Sequence, residues 1–395
     1  MFELSKEHED FRRVVREFAL AEVAPHVQEW DEQHRFPTEL VPKMGDLGLF
    51  GLVVPEEFGG ADADFTSLCV AIEELGRVDQ SVGITLSAGV GLGINPILTF
   101  GSADQKALWL PDLVAGRALA AFGLTEPEAG SDAGATKTRA RLDGDSWVVN
   151  GAKAFITNSG TDITSVVTVT ARTGERPDGR PEISAIMVPV GTPGFTVEPA
   201  YHKLGWHASD THGLSFADCR VPADHLLGER GRGFSQFLAT LDDGRIAISA
   251  LAVGLAQACL DASLEYAGSR QAFQRPIGVN QGISFPIADL ATAVEAARLL
   301  AYKAAWLRDE QAVGRRGATE VKQAAAMAKL HSSTAAVDAT RLATQVFGGA
   351  GFIEESVGIH SVARFYRDAK ILEIGEGTSE VQRMVIARGL GLPVA

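Results

Sequence analysis

The chain has 395 residues, 46% of them hydrophobic, which is enough for a large core without metal or disulfide staples. Its 36 basic and 50 acidic side chains leave a net charge of −14, a field that repels nucleic acid and anionic membranes, so neither is expected as a partner. No uninterrupted apolar run approaches the roughly 20 residues of a spanning helix.

In chain order, the opening MFELSKEHEDFRRVVREF mixes both charge signs with apolar residues at helical spacing. It has neither the apolar centre of a secretory signal nor the acid-poor character of a transit peptide, which sets a cytoplasmic expectation. Three periodic textures follow. Residues 1–120 read as helices, with apolar positions three and four apart over Glu7–Trp30, Glu39–Leu47, Thr66–Arg77 and Ala103–Leu113. The Gly- and Pro-rich VVPEEFGGAD (53–62) interrupts them. Residues 121–230 read as β. Ser146–Val149 and Ala152–Thr157 flank Asn150-Gly151, a two-residue hairpin signal, and Val166–Ala171 and Ile183–Val190 are joined by RTGERPDGRP (172–181). Short strands with regular turns imply a barrel or sandwich. Residues 231–395 are Ala-rich and helical again, over Phe234–Ser269, Pro286–Gln311, Thr319–Gln345 and Ser379–Arg388, the pattern of a bundle.

The chemistry-bearing segments are few. In IGEGTSEVQRMVIAR (374–388), Ser379 and Gln382 fit a capping box, so a helix is expected to start at Ser379, with its N–H groups forming an anion site. Gly375 and Gly377 flank Glu376, a carboxylate placed to act as a base. FGLTEPEAGSDAGATKT (122–138) offers hydroxyls and backbone N–H groups to a phosphate or heterocycle edge. QVFGGAGF (345–352) puts three glycines in four positions between helical stretches, without a GxGxxG after a strand. There is no HxxxH, HExxH or Cys/His cluster, so no metal is expected, and no GxSxG or Walker A. His202, His207 and His212 read as loop or surface residues, and Cys69, Cys219 and Cys259 as buried free thiols.

Together, TEPEAGSD (125–132), NGAKAFITN (150–158), RQAFQRPI (270–277), QVFGGAGF and EGTSEVQ (376–382) resemble the acyl-CoA dehydrogenase family in order and spacing over nearly the whole chain. The resemblance implies an N-terminal helical domain, a middle β-barrel and a C-terminal four-helix bundle, usually as a homotetramer. It implies FAD between the β domain and the bundle, an acyl-CoA substrate of fatty-acid β-oxidation, and electron-transferring flavoprotein as acceptor. It places Leu124 and Thr125 at the flavin ring, Phe155 and Thr157 on the adjoining strand, and Thr378 near the pyrophosphate. Arg270, Phe273, Gln345 and Gly349 would reach the FAD of a neighbouring protomer, and Ser131 and Arg245 the CoA portion. Glu376 matches the base that takes the α-proton while a hydride leaves the β-carbon. Exclusion of water is expected to raise its pKa.

One subgroup of the family carries its base just before the arginine that matches Arg245; here that position is Gly244, so the base is assigned to Glu376. Three residues depart from the common pattern. Gly375 stands where many members have Tyr, which widens the substrate pocket, Phe155 replaces a frequent Trp, and Gln274 and Arg275 replace Gly-x. The pattern is nearest to short-chain or short/branched-chain members. The rival activities on this fold are acyl-CoA oxidase and flavin monooxygenase, the latter disfavoured by the intact EGTSE, and the rival binding protein is a DNA-associated relative, disfavoured by the −14 charge and the apolar ending GLGLPVA.

Overall fold

The computed structural model describes residues 4–354 and 361–394. Seven helices come first: α1 (Lys6–Phe18), α2 (Val27–Gln33), α3 (Leu40–Asp46), α4 (Phe65–Val78), α5 (Gln80–Ala88), α6 (Asn95–Phe100) and α7 (Ala103–Val114). The expected Glu7–Trp30 helix is therefore two helices, separated by a π-helical turn over Ala19–Val23. Helices α5 and α6 escape the periodic reading for a physical reason. Every residue of α5 is buried, so it has no polar face to set a period.

The middle of the chain holds β1 (Leu119–Gly123), β2 (Arg139–Asp143), β3 (Ser146–Thr157), β4 (Thr164–Glu175), β5 (Pro181–Pro189), β6 (Phe195–Ala200), β7 (Thr211–Pro222) and β8 (Leu226–Leu227). They form one sheet in the order β6-β7-β3-β2-β4-β5-β8, with β1 paired to β4. Trp147, Val149, Val167, Val169, Ile186, Leu214 and Phe216, from four strands, meet in a single apolar interior, as a sheet wrapped around its own core requires.

The expected Asn150-Gly151 hairpin is not there. Strand β3 runs straight through both residues, and only Gly151 has positive φ. The irregularity lies in the pairing instead: β3 and β7 shift register between Val149 and Gly151. Asp218 on β7 takes φ 50° there, while the Asn150 side chain donates to Asp218 Oδ1 at 3.1 Å and accepts from its N–H at 2.8 Å. Asn150 closes a β-bulge rather than a turn.

Helices α8 (Gly233–Ser269), α9 (Gln281–Ala312), α10 (Ala318–Phe347), α11 (Val362–Ala369) and α12 (Ser379–Gly389) complete the chain, with a small hairpin of β9 (Gln271–Ala272) and β10 (Arg275–Pro276) between α8 and α9. Helix α9 starts at Gln281 rather than at Pro286, so the proline sits in its second turn, where the helix goes without the bond from residue 286 to Gly282 O. Gly254 of α8 lies so close to α4 that a Cβ there would sit 2.3 Å from Glu73 O, so the two helices touch backbone to backbone. One apolar core then runs from α1 through α4 into α8, α9 and α10. Among the described residues, Gln80–Phe100 and Gly233–Ser269 are long and apolar enough to cross a membrane, but 72% and 89% of their most apolar windows are buried within the protein.

Two of the histidine expectations change. His212 is a residue of strand β7 with Nε2 2.8 Å from Asp210 and Nδ1 2.6 Å from Glu198 O. His207 stacks on His34 at 3.9 Å, 3.1 Å from Asp31, and so joins the β domain to α2. Their hydrogen bonds compensate for their loss of water. The three cysteines are buried and free.

The β9–β10 turn is Phe273-Gln274, with φ of 51° and 65°. Both residues have the left-handed conformation of a tight hairpin turn, where glycine is at ease and a Cβ is crowded. Gln274→Gly is expected to relieve about 1 kcal/mol and to raise the melting temperature by roughly 1–2 °C, whereas Gln274→Pro, which cannot take positive φ, should lower it. Thermal melts followed by circular dichroism check both signs.

Candidate functional site

The segment around Glu376 is built from the start of α12 backwards. Thr378, not Ser379, is the N-cap: its side chain accepts from Val381 N at 3.4 Å. Ser379 is the first helical residue and its buried hydroxyl has no partner. With the cap at Thr378 the N3 residue is Val381, so the expected capping box is absent and Gln382 falls at N4, free to bond elsewhere. Its Nε2 donates to Glu376 O at 3.2 Å and to Gly377 O at 2.8 Å. Lys329 of α10 also donates to Gly377 O, at 2.8 Å. Glu376 and Gly377 both have positive φ, 54° and 88°, a pair of left-handed residues that persists because the surroundings hold it.

This turn aims the Glu376 carboxyl at α8. Its Oε2 is out of reach of solvent and has no hydrogen-bond partner. Directly opposite is Gly244, where an added Cβ would lie 2.8 Å from Oε2 and 3.1 Å from Cδ. Positions 244 and 376 thus converge on one point, and only one of them carries a carboxyl. Burial raises the Glu376 pKa, with Arg245 and then Lys329 pulling it back. Arg245 is itself buried, its Nη1 2.6 Å from Asp242, and its charge acts on Glu376; Ser131 is exposed on the loop after β1. Lys329 is fully buried, and desolvation brings its pKa down to about 8 against the pull of Glu376 and Glu373. Gly375 has open space: a Cβ there would meet only Ile371 O, at 3.6 Å.

A second group of residues gathers at the end of β1. Leu124 and Thr125 are partly exposed there, and Thr125 O accepts from Ala154 N at 2.9 Å, which lays the loop along β3. Between Lys153 and Ile156 the β3–β7 register shifts again, and Phe155 takes φ 60°. This bulge turns Phe155 outward. It is 65% exposed and touches Tyr201 at 5.2 Å. Thr157 follows, paired with Thr211. Beneath the loop is a buried ion pair that sequence reasoning missed, although both members lie in motifs. Lys153 Nζ is 2.7 Å from Glu126 Oε1 and 3.1 Å from Leu124 O. Glu126 also accepts from the N–H groups of Lys137 and Thr138 and from the Thr136 hydroxyl. Burial alone would raise the Glu126 pKa; Lys153 and these donors overcome it and hold the carboxyl at about 2.

The third group stands apart from the other two. Arg270, Phe273, Gln345 and Gly349 are all exposed, on the β9–β10 hairpin and the end of α10, and Phe273 is 93% exposed. Lys329 is the other omission, and Gln382, expected in a capping box, holds the two turn carbonyls instead. A lone lysine in AAAMAKLHSS reads as a solvent-facing helix residue, and the flanking small residues are the only hint that it is buried.

These features are those of a flavoenzyme fold, and comparison with known proteins identifies it. Models of the N-terminal, middle and C-terminal domains of acyl-CoA dehydrogenase match residues 5–117, 121–219 and 231–391. The chain belongs to the acyl-CoA dehydrogenase family and is an oxidoreductase of that class. It is 48% identical to a probable acyl-CoA dehydrogenase of Bacillus subtilis, over 98% of this chain and 99% of the relative. It is 45% identical to the mouse mitochondrial short-chain specific acyl-CoA dehydrogenase, over 98% and 90%. Among solved structures, butyryl-CoA dehydrogenase from Megasphaera elsdenii superposes with a TM-score of 0.92, at 41% identity and 99% coverage of both chains. A glutaryl-CoA dehydrogenase from Mycobacterium smegmatis in complex with FADH2 gives 0.90, at 31% identity over 98% and 95%.

The buried pair yields a test. Lys153→Met leaves Glu126 buried beside uncharged atoms, and unfolding free energy is expected to fall by about 3–5 kcal/mol. Because the Glu126 pKa is depressed, the stability this carboxyl contributes is present above its unfolded pKa and lost as pH falls towards about 2. Denaturant unfolding at neutral and acid pH checks both the loss and its attenuation in acid.

Proposed function

We propose that Glu376 is the base of an acyl-CoA dehydrogenation: it takes the α-proton of the thioester while the β-carbon loses a hydride, leaving the 2-enoyl-CoA. The observation that carries this reading is the unpartnered, solvent-shielded Glu376 Oε2, held by a clamped turn opposite a residue with no side chain. A carboxylate stripped of water is a stronger base, and its raised pKa brings it nearer to operating pH. Arg245 and Lys329 oppose that rise and keep the ionised form accessible. No described hydrogen bond uses the Glu376 backbone N–H, which leaves it to stabilise the thioester oxygen as the enolate develops.

FAD is the cofactor of this family, and when bound it supplies the acceptor for the hydride. The chain's residues fit it. The outward Phe155 beside Leu124 and Thr125 offers an open aromatic face, and the α12 N-terminus with its unpaired Ser379 hydroxyl suits a pyrophosphate. Exposure of Arg270, Phe273, Gln345 and Gly349 supports a homotetramer in which these residues complete a neighbour's flavin site. The acceptor of the electrons is proposed to be electron-transferring flavoprotein, and the pathway fatty-acid β-oxidation. A short or short-branched acyl group is favoured by the similarity to short-chain and butyryl-CoA enzymes and by the space at Gly375.

Anaerobic titration with butyryl-CoA and 2-methylbutyryl-CoA should bleach the flavin absorbance. Glu376→Gln, with FAD still bound, should slow bleaching by more than about 10²-fold; unchanged bleaching would remove Glu376 from the role. Gly375→Tyr fills the open space and should cost the branched substrate about 10-fold more in kcat/KM than the linear one. Equal losses on the two would show that this space does not set acyl choice.

A further inference from the structure

Lys329 is a buried cation on a helix whose neighbouring side chains are small, and packing alone gives no reason for a charge there. Its ammonium is fully out of solvent and spends a hydrogen bond, at 2.8 Å, on the carbonyl of the residue after the base. The same carbonyl receives Gln382 at 2.8 Å, and Gln382 also reaches Glu376 O at 3.2 Å. Two side chains from two helices therefore pin two consecutive peptide carbonyls, which fixes the left-handed pair Glu376 and Gly377. A turn of this kind without such anchors relaxes, and the carboxyl loses its aim at α8.

We propose that Lys329 is a positioning residue for the base: it locks the Glu376–Gly377 turn through the Gly377 carbonyl, and its charge favours the ionised Glu376 carboxylate.

The inference rests on Glu376 being the base. The charged groups around the pair come from each element packed on it. Arg245 lies on α8, with Asp242 bonded to it, Glu373 on the turn after α11, and Glu380 on α12. Arg245 shares its charge with Asp242 at 2.6 Å, whereas among the described residues Lys329 has no carboxylate as a hydrogen-bond partner and gives its bond to the turn. Of the two cations, Lys329 is thus the one joined directly to the backbone that carries the base. The residual pull of Lys329 on the Glu376 pKa is downwards, so its removal shifts that pKa up.

The test separates lock from charge. Lys329→Met removes both, and Lys329→Gln keeps an amide donor without the charge. In both variants, loaded with FAD, the acid limb of the pH profile for flavin reduction by butyryl-CoA is expected to move up by about one unit. The maximal rate in Lys329→Met should also fall on the order of 10²-fold, with the CoA-thioester dissociation constant little changed. Gln382→Met, which breaks the lock alone, should lower the maximal rate without moving the limb. The proposal is overturned if FAD-loaded lysine variants keep the parent's acid limb and rate, or if neither variant retains flavin, which would make the lysine a folding element. Glu376→Gln is measured alongside. If it stays active, the base assignment has failed; if it is inactive while the lysine variants match the parent, only the role of Lys329 has.

Discussion

A carboxyl oxygen kept out of water without a partner is held in place by the backbone beneath it, and the rest of this structure can be followed outward from that constraint. Glu376 and Gly377 take consecutive left-handed conformations, which cost free energy wherever nothing enforces them. The enforcement comes from three directions. Thr378 caps α12 immediately afterwards, Gln382 reaches back from the first turn of that helix, and Lys329 reaches across from α10. The position of α10 depends in turn on α8, whose glycine-mediated contact with α4 ties the bundle to the N-terminal helices. A short strained turn is stable because two helices, α10 and α12, hold it.

Much of the architecture was legible from periodicity. The amphipathic helices α4, α7, α8 and α10 begin and end within about one or two residues of where their apolar spacing places them, the usual scatter of helix ends. The reading weakened where burial is complete. Helix α5 has no polar face, so nothing in its spacing distinguished it from a glycine-rich connection, and α6 is only six residues long, too short to set a period. Turn chemistry misled in both directions. Asn150-Gly151 has the composition of a hairpin but serves a bulge, while two-residue turns fall at Gly144-Asp145 and at Phe273-Gln274, the latter a pair that no propensity would select. In each case a tertiary requirement outweighed the local preference.

The site was legible in part. Glu376 stood out because glycines flank it, and Gly244 because a side chain was expected there; the structure gives the two observations a common cause, since both positions meet at one point. Lys153, Glu126 and Lys329 could not be read in advance, and Gln382 was read as a cap rather than as an anchor of the turn. Their roles depend on which backbone carbonyl or carboxylate lies within reach, and that is decided by packing rather than by spacing. Buried charges of this kind sit in sequence like any surface residue, and only their small neighbours differ.

Helix α8 has a further consequence. Arg245, beside Glu376 in the first half of α8, and Arg270, which caps that helix at its C-terminal end, are joined by unbroken helix, about 38 Å apart at its regular rise. Each residue of that span also advances the helix by about 100° of rotation. The helix therefore acts as a ruler and a protractor at once. It tolerates exchanges of one small side chain for another along its length, but a single inserted or deleted residue would swing the hairpin to a different side of the molecule. In descendants of this chain, length between these two arginines is the more constrained quantity, and composition the freer one.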